Sequence, residues 1–253
     1  MIPPEIVDLF FGYLHLDRDK RSLGSCSLAC KAWLPIARHY LLSDVTVSLS
    51  TYGRDVVLEE LLSSHLCTIA PYLHTLHIRG SCPALPPLVV QAAIAAMRNL
   101  PNIRNITLQD ITWPLIQAEL MDIIQSYDLT SLSLSFVFFA TSQELYQLLS
   151  AFPRLATLRL GFGIRWMEYN HSIHTLKPLQ SVRRLSFDAS KQMLMSFLLQ
   201  LTAPLSIDDL ELWFISSPQK TTVDKFLKYT VPKYLTLDFG KFGQGKCIKR
   251  QRI

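Results

Sequence analysis

The 253-residue chain is 49% hydrophobic and 18% charged, enough apolar material for a sizeable core in one or two domains. Its mean hydropathy of +0.21 does not amount to a membrane span, because the longest apolar stretch, 85–97, is broken by Pro86, Pro87 and Gln91 and falls short of the roughly 20 residues a bilayer needs. The net charge of +5 comes from Lys241, Lys246, Lys249, Arg250 and Arg252; without these five, 20 basic residues balance 20 acidic ones, which excludes the broad basic footprint of a nucleic-acid-binding domain.

The chain opens with Pro3 and Pro4 ahead of Glu5, a proline start and an acid suited to the first turn of a helix. Ile6, Leu9, Phe10, Tyr13 and Leu14 then recur at three- and four-residue spacing, which predicts an amphipathic helix of about three turns. Glu5 and Asp8 stand where a secretory signal would need an uninterrupted apolar run. After a charged break from Asp17 to Lys20, a second helical pattern runs through Leu23, Cys26, Leu28, Cys30, Trp33 and Leu34. Pro35 bends it or starts a third helix carrying Ile36, Ala37, Tyr40 and Leu41. Cys26 and Cys30 lack a partner pair at metal-site spacing, so they read as buried thiols. Five cysteines without a framework spacing fit a reducing compartment, the cytoplasm or the nucleus.

Three blocks in this segment resemble the F-box motif in order and separation: Ile2-Pro3-Pro4-Glu5-Ile6, then Cys26 through Trp33, then Ala37-Arg38. Ile2 stands where the motif usually has leucine. The resemblance covers residues 2 to about 42. It implies a three-helix module that docks onto the adaptor subunit of a cullin–RING ubiquitin ligase and, through the adaptor, a cullin. Carried over onto this sequence, the docking residues are Ile2, Pro3, Pro4, Glu5, Ile6, Leu9, Phe10, Leu14, Leu28, Lys31 and Trp33.

From residue 42 one pattern recurs: apolar, two residues, apolar, one residue, apolar. It starts at Leu42, Leu73, Ile103, Leu129, Leu155, Val182, Ile207 and, more weakly, Pro232, in steps of 31, 30, 26, 26, 27, 25 and 25 residues. That self-similarity is the signature of leucine-rich repeats, here of an irregular kind without a regular asparagine after the strand. Helical stretches are predicted between the strands at 56–70, 88–100, 114–127, 143–152, 192–202 and 222–229. The expected fold is therefore α/β: a three-helix F-box over 1–41, then a solenoid of about eight repeats with a curved parallel sheet over 42–240. After Phe239 the sequence Gly-Lys-Phe-Gly-Gln-Gly-Lys offers no closing helix. Residues 241–253 are accordingly expected to be a disordered basic tail and the last apolar face to lack a cap.

Period-2 alternation sorts the strand residues into two faces. It predicts that Phe136, Phe162, Phe214 and Phe239, each two residues past a strand's last apolar position, form an inward aromatic spine. It turns Arg159, Gly161, Arg184, Asp188, Glu211 and Trp213 outward. Arg159, Arg184, Asp188, Glu211 and Trp213 come from consecutive units and form the candidate site for an unidentified protein target, a mixture of charge and aromatic surface suited to recognition. The segment 163–178 is expected to be a loop that could overhang this face. No nucleophile elbow, phosphate-binding loop or zinc-protease motif occurs, and His171 and His174 lack a third ligand at usual spacing. The sequence therefore predicts a binding protein with no catalytic residues, metal or cofactor. It predicts no nucleic-acid or membrane partner.

Overall fold

A computed structural model of the chain describes residues 2–17, 19–49, 56–64, 67–80, 87–168, 179–190, 192–200, 206–215, 220–238 and 248–252. The first three helices are α1 (Pro4–Leu16), α2 (Lys20–Ala29) and α3 (Leu34–Leu41). Prolines occupy the first turns of α1 and α3, where a missing N–H costs no intrahelical bond. Asp19 caps α2 by accepting the Ser22 N–H at 3.0 Å. Hydrogen bonding by Ser22, through its side chain first and this N–H second, holds the Asp19 carboxyl below the usual carboxylate range. Val7, Phe11, Leu23 and Ala37 form a small core of their own, with Leu14, Cys26, Trp33, Ile36, Tyr40 and Leu41 packed around it.

The rest of the chain builds one sheet. Its strands are β1 (Asp44–Ser48), β2 (Thr75–Arg79), β3 (Asn105–Thr112), β4 (Ser131–Thr141), β5 (Thr157–Leu160), β6 (Arg165–Glu168), β7 (Arg184–Asp188), β8 (Asp209–Trp213), β9 (Tyr234–Asp238) and β10 (Ile248–Arg252). Their order is β1-β2-β3-β4-β5-β7-β8-β9-β10, with β6 paired to the far half of β4. All pairs are parallel except β9 with β10. Helices α4 (Val56–Ser63), α5 (Pro87–Arg98), α6 (Gln117–Gln125), α7 (Ser142–Ser150), α8 (Gln192–Gln200) and α9 (Lys220–Thr230) provide the crossovers. Local chemistry places their ends: at α7 the Thr141 hydroxyl accepts the Glu144 N–H, and the Glu144 carboxylate reaches back to the Ala140 N–H at 2.8 Å.

The register repeats without a shift. Val45, Leu76, Ile106, Leu132, Leu158, Leu185, Leu210 and Leu235 are paired in one row across eight strands, all buried. Val47, Ile78, Leu108, Leu134, Leu160, Phe187, Leu212 and Leu237 form the row beside it. Just before each strand one carbonyl accepts from the next unit: Ser43 to Thr75, His74 to Asn105, Arg104 to Ser131, Thr130 to Thr157, Ala156 to Arg184 and Arg183 to Asp209. Backbone pairing and apolar burial thus repeat together, and the rows join in a single large core.

Several expectations are corrected. The aromatic spine does not exist as an inward row: Phe136 is 54% exposed and Phe162 and Phe214 are half-buried, while Phe239 lies outside the described residues. Asp110, Phe136 and Phe214, at equivalent places within β3, within β4 and past β8, have φ of 56°, 53° and 57°. A left-handed residue interrupts the alternation, so Ile111 and Val137 take the inward places instead. Gly161, expected to face out, is buried, and a Cβ there would lie 2.5 Å from the Ser135 hydroxyl. The expected loop after β5 contributes β6, with Trp166 buried against Phe197; its residues 169–178, including His171 and His174, lie outside the described set. Within the expected disordered tail, residues 248–252 form β10 and pair along β9. Helix α4 ends at Ser63, short of the expected 70.

If this phase is right, Leu158→Ala should destabilise the protein by about 2–5 kcal/mol, as truncation in a packed interior does. Thr157→Ala, one residue away on the outward face, should change stability by less than about 0.5 kcal/mol. Equal shifts in a denaturant titration would show the strand faces to be misassigned.

Candidate functional site

Two surfaces present groups that the cores do not use. The first belongs to α1. Its Val7 and Phe11 point inward, and Phe11 meets Trp33 edge-on at 6.0 Å. Tyr40 ties α3 to α1 by donating its hydroxyl to Asp8 at 3.0 Å; burial, then that bond, raises the Tyr40 pKa above its ordinary value. With the inward positions filled, Ile2, Ile6, Leu9, Phe10 and Tyr13 remain exposed, Leu9 at 62%. Leu28, near the end of α2, is 87% exposed. Pro3, Pro4, Glu5 and Lys31 are exposed as well. Leu14 and Trp33 differ from the rest of the sequence-predicted set, because both are half-buried against the small core. Cys30, expected to be buried, is exposed, and Cys26 is half-buried. Among the described residues no group of three His, Cys, Asp or Glu side chains converges on a point.

The second surface is the outward face of the sheet. Its central row reads Thr46, His77, Thr107, Ser133, Arg159, Ser186, Glu211 and Thr236 in register. A concavity of about 540 Å³ lies over it, floored mainly by short hydroxyl and amide side chains from Thr75 to Thr157 and by Arg159, Arg184, Asp209 and Glu211 further along. Arg159 and Glu211 stand two strands apart with Ser186 between them. The Ser186 hydroxyl donates to the Glu211 carboxylate at 3.0 Å, and the Arg159 guanidinium approaches the same carboxylate to 3.8 Å. Arg159 also lies over the Trp213 ring, 5.0 Å from its centroid. Trp213 in turn stacks with Phe162 at 6.5 Å, and Phe162 meets Phe214 edge-on at 4.7 Å.

Of the five residues predicted for this patch, Arg159, Glu211 and Trp213 are in contact, and Arg184 lines the same concavity from the adjoining row. Asp188 is not part of the surface. It is 2% exposed, and its carboxylate accepts the Ser190 N–H at 2.9 Å, closing the turn toward α8. Ser186, Phe162 and Phe214 are participants that sequence reasoning missed. The two phenylalanines stood at a recognisable spacing, but their left-handed or turning backbone, which decides their face, leaves no mark in periodicity. At the sheet's margin Lys233 donates to Asp208 at 2.7 Å and holds that carboxyl below the usual range. Both groups are partly or largely exposed, so the pair adds little to stability.

No helix among the described residues is long and apolar enough to cross a membrane. No protein-family profile matches the sequence, and no curated protein matches it significantly.

The Arg159–Trp213 contact can be measured directly. A double-mutant cycle of Arg159→Ala and Trp213→Ala should give a coupling of about 0.5–1 kcal/mol in unfolding free energy. A coupling indistinguishable from zero would mean that the two side chains do not hold this arrangement in solution.

Proposed function

We propose that the chain is a substrate receptor of an SCF-type cullin–RING ubiquitin ligase, built from an F-box and a leucine-rich-repeat solenoid. The observation that carries the reading is the apolar surface of α1. A helix in a small globular unit ordinarily turns its apolar stripe inward and leaves a polar face to water. Here the inward stripe is complete with Val7 and Phe11, yet Ile6, Leu9, Phe10 and Tyr13 stay outside. Apolar side chains grouped in this way mark a protein-binding surface. The F-box-like blocks at 2–6, 26–33 and 37–38 name the partner: the ligase adaptor, and through it a cullin.

On this reading Ile2, Ile6, Leu9, Phe10 and Leu28 make the direct apolar contacts, with Pro3, Pro4, Glu5 and Lys31 around them. Leu14 and Trp33 shape the helices that present them. The unbroken register of the strand rows supports the repeat reading, since each unit covers its neighbour's apolar edge. The outward face around Arg159, Arg184, Glu211 and Trp213 is then the site for a protein target. The receptor would work in the cytoplasm or the nucleus, where the ligase and reduced thiols coexist.

The test is affinity capture of the full chain from cell extract, beside a version lacking residues 1–41. The full chain should bring down the adaptor and a cullin, and the shortened chain should bring down neither while keeping a cooperative unfolding transition. Capture by the shortened chain, or by neither protein, would overturn the assignment and leave a repeat scaffold that does not engage a ligase.

A further inference from the structure

The outward face holds an arrangement more specific than a general recognition surface. Phe136, Phe162 and Phe214 stand at equivalent places in their units, at or just beyond the ends of the paired strand segments. The equivalent residue past β7 is Ala189, which is fully buried. Its side chain is a single methyl, and Phe162 and Phe214, from the units on either side of it, meet at 4.7 Å. The Phe136 backbone lies alongside, its N–H bonded to the Phe162 carbonyl at 2.6 Å. A phenylalanine with φ of 53° is an outlier that the backbone disfavours, and more than half of Phe136 faces water. Its ring lies over Gly163, which has no Cβ to meet it, and the remainder of the side chain is turned to solvent.

The charges beside this ridge are sorted by exposure. Arg184 is exposed and has no ion pair among the described residues. The Arg159 side chain is 56% exposed, against 32% for Glu211. Glu211 is occupied by Ser186 and Arg159, Asp209 is half-buried, and Asp188 is withdrawn altogether. The two arginines are thus the more exposed of the charged groups, and the carboxylates beside them are partly covered or already bonded. Arg159 is held between Glu211 and the Trp213 ring, which orients its guanidinium while leaving further N–H donors for an incoming carboxylate.

From these features we infer that the target presents a short extended segment in which an acidic side chain lies a few residues from an aromatic one. The carboxylate engages Arg159 and Arg184, and the aromatic ring settles on the ridge of Phe136, Phe162 and Phe214. Neighbouring strands lie about 4.8 Å apart, so β4 to β8 spans roughly 14 Å. At about 3.3 Å per extended residue that is a segment of four or five residues. The inference rests on the outward sheet face being the target-binding face.

The probe is an array of nine-residue peptides with five randomised central positions, read with the full chain. Selected peptides should be enriched in Asp or Glu placed two to four residues from Phe, Tyr or Trp. Their binding should weaken at least tenfold in both Arg184→Glu and Phe136→Gly. Because glycine adopts a φ of 53° without strain, Phe136→Gly should melt at the same temperature or higher, which a packing role would not allow. Selection of basic or purely polar peptides, no binders above background, or binders indifferent to both variants would overturn the inference. A further variant, Ser133→Arg on the groove floor, separates the two levels. Selected peptides of another composition that Ser133→Arg displaces leave the outward face as the target site and overturn only the acidic–aromatic chemistry. Binders insensitive to all three variants remove both.

Discussion

Residues Leu76, Ile106, Leu132, Leu158, Leu185 and Leu210 lie directly beside one another across adjacent parallel strands, and this in-register row governs the rest of the structure. Burying a side chain of this size contributes on the order of 1.5–3 kcal/mol relative to leaving it exposed. A slip of one residue anywhere would carry that strand's apolar set to the solvent face. The penalty acts on every strand at once, so the register is strongly specified. The alternate residues are thereby committed to the outer face, and their identity is free to serve recognition. The early units present mainly threonine, serine and asparagine there, with His77 among them. The later ones present Arg159, Arg184, Glu211 and Trp213.

Where the row ends, a second constraint takes over. The left-handed backbone at Asp110, Phe136 and Phe214 costs roughly 1–2 kcal/mol at each such residue. It moves the inward role one place along, to Ile111 and Val137, and lifts the preceding side chain out of the core. Asp110 spends this position on an ion pair with Arg79 at 3.5 Å, whereas Phe136 and Phe214 place large apolar rings at the rim. The sheet's last edge is treated differently. There β10 runs antiparallel to β9 and meets its backbone groups residue for residue, from Ile248 opposite Asp238 to Arg252 opposite Tyr234. An otherwise open strand edge is a template for unwanted pairing, and β10 occupies the edge of β9.

Much of this was legible in the amino-acid order. The eight strands fall where the apolar pattern put them, because burial on one face forces period 2 and a repeating crossover forces a near-constant spacing. The helix positions followed too, with ends displaced by a few residues except at α4, which stops at Ser63: α6 starts at Gln117 where the pattern suggested 114, since Trp113–Leu115 forms a 3-10 turn. Three things were not legible. Alternation assigns a face only while the backbone stays extended, so the outward turn of Phe136 escaped it; and it does not say what covers a side chain at a strand's end, so the burial of Asp188, still paired within β7, escaped it too. Strand β10 is recruited by backbone pairing rather than by an apolar stripe, and the sequence Ile-Lys-Arg-Gln-Arg has no such stripe to find. In the helical unit, period alone could not divide the apolar residues of α1 between its own core and a partner. The structure makes that division, giving Phe11 and Trp33 to the core and Leu9, Phe10 and Leu28 to the surface.

That division is what the proposed receptor stands on, and titration calorimetry with purified ligase adaptor tests it most directly. The full chain is predicted to form a one-to-one complex with the adaptor. Replacing Leu9 and Leu28 together by aspartate should weaken that complex by about a hundredfold or more, as loss of two apolar anchors does, with no fall in melting temperature because neither side chain is in the core. Absence of heat with the unaltered chain, or equal affinity in the doubly substituted one, would contradict the account.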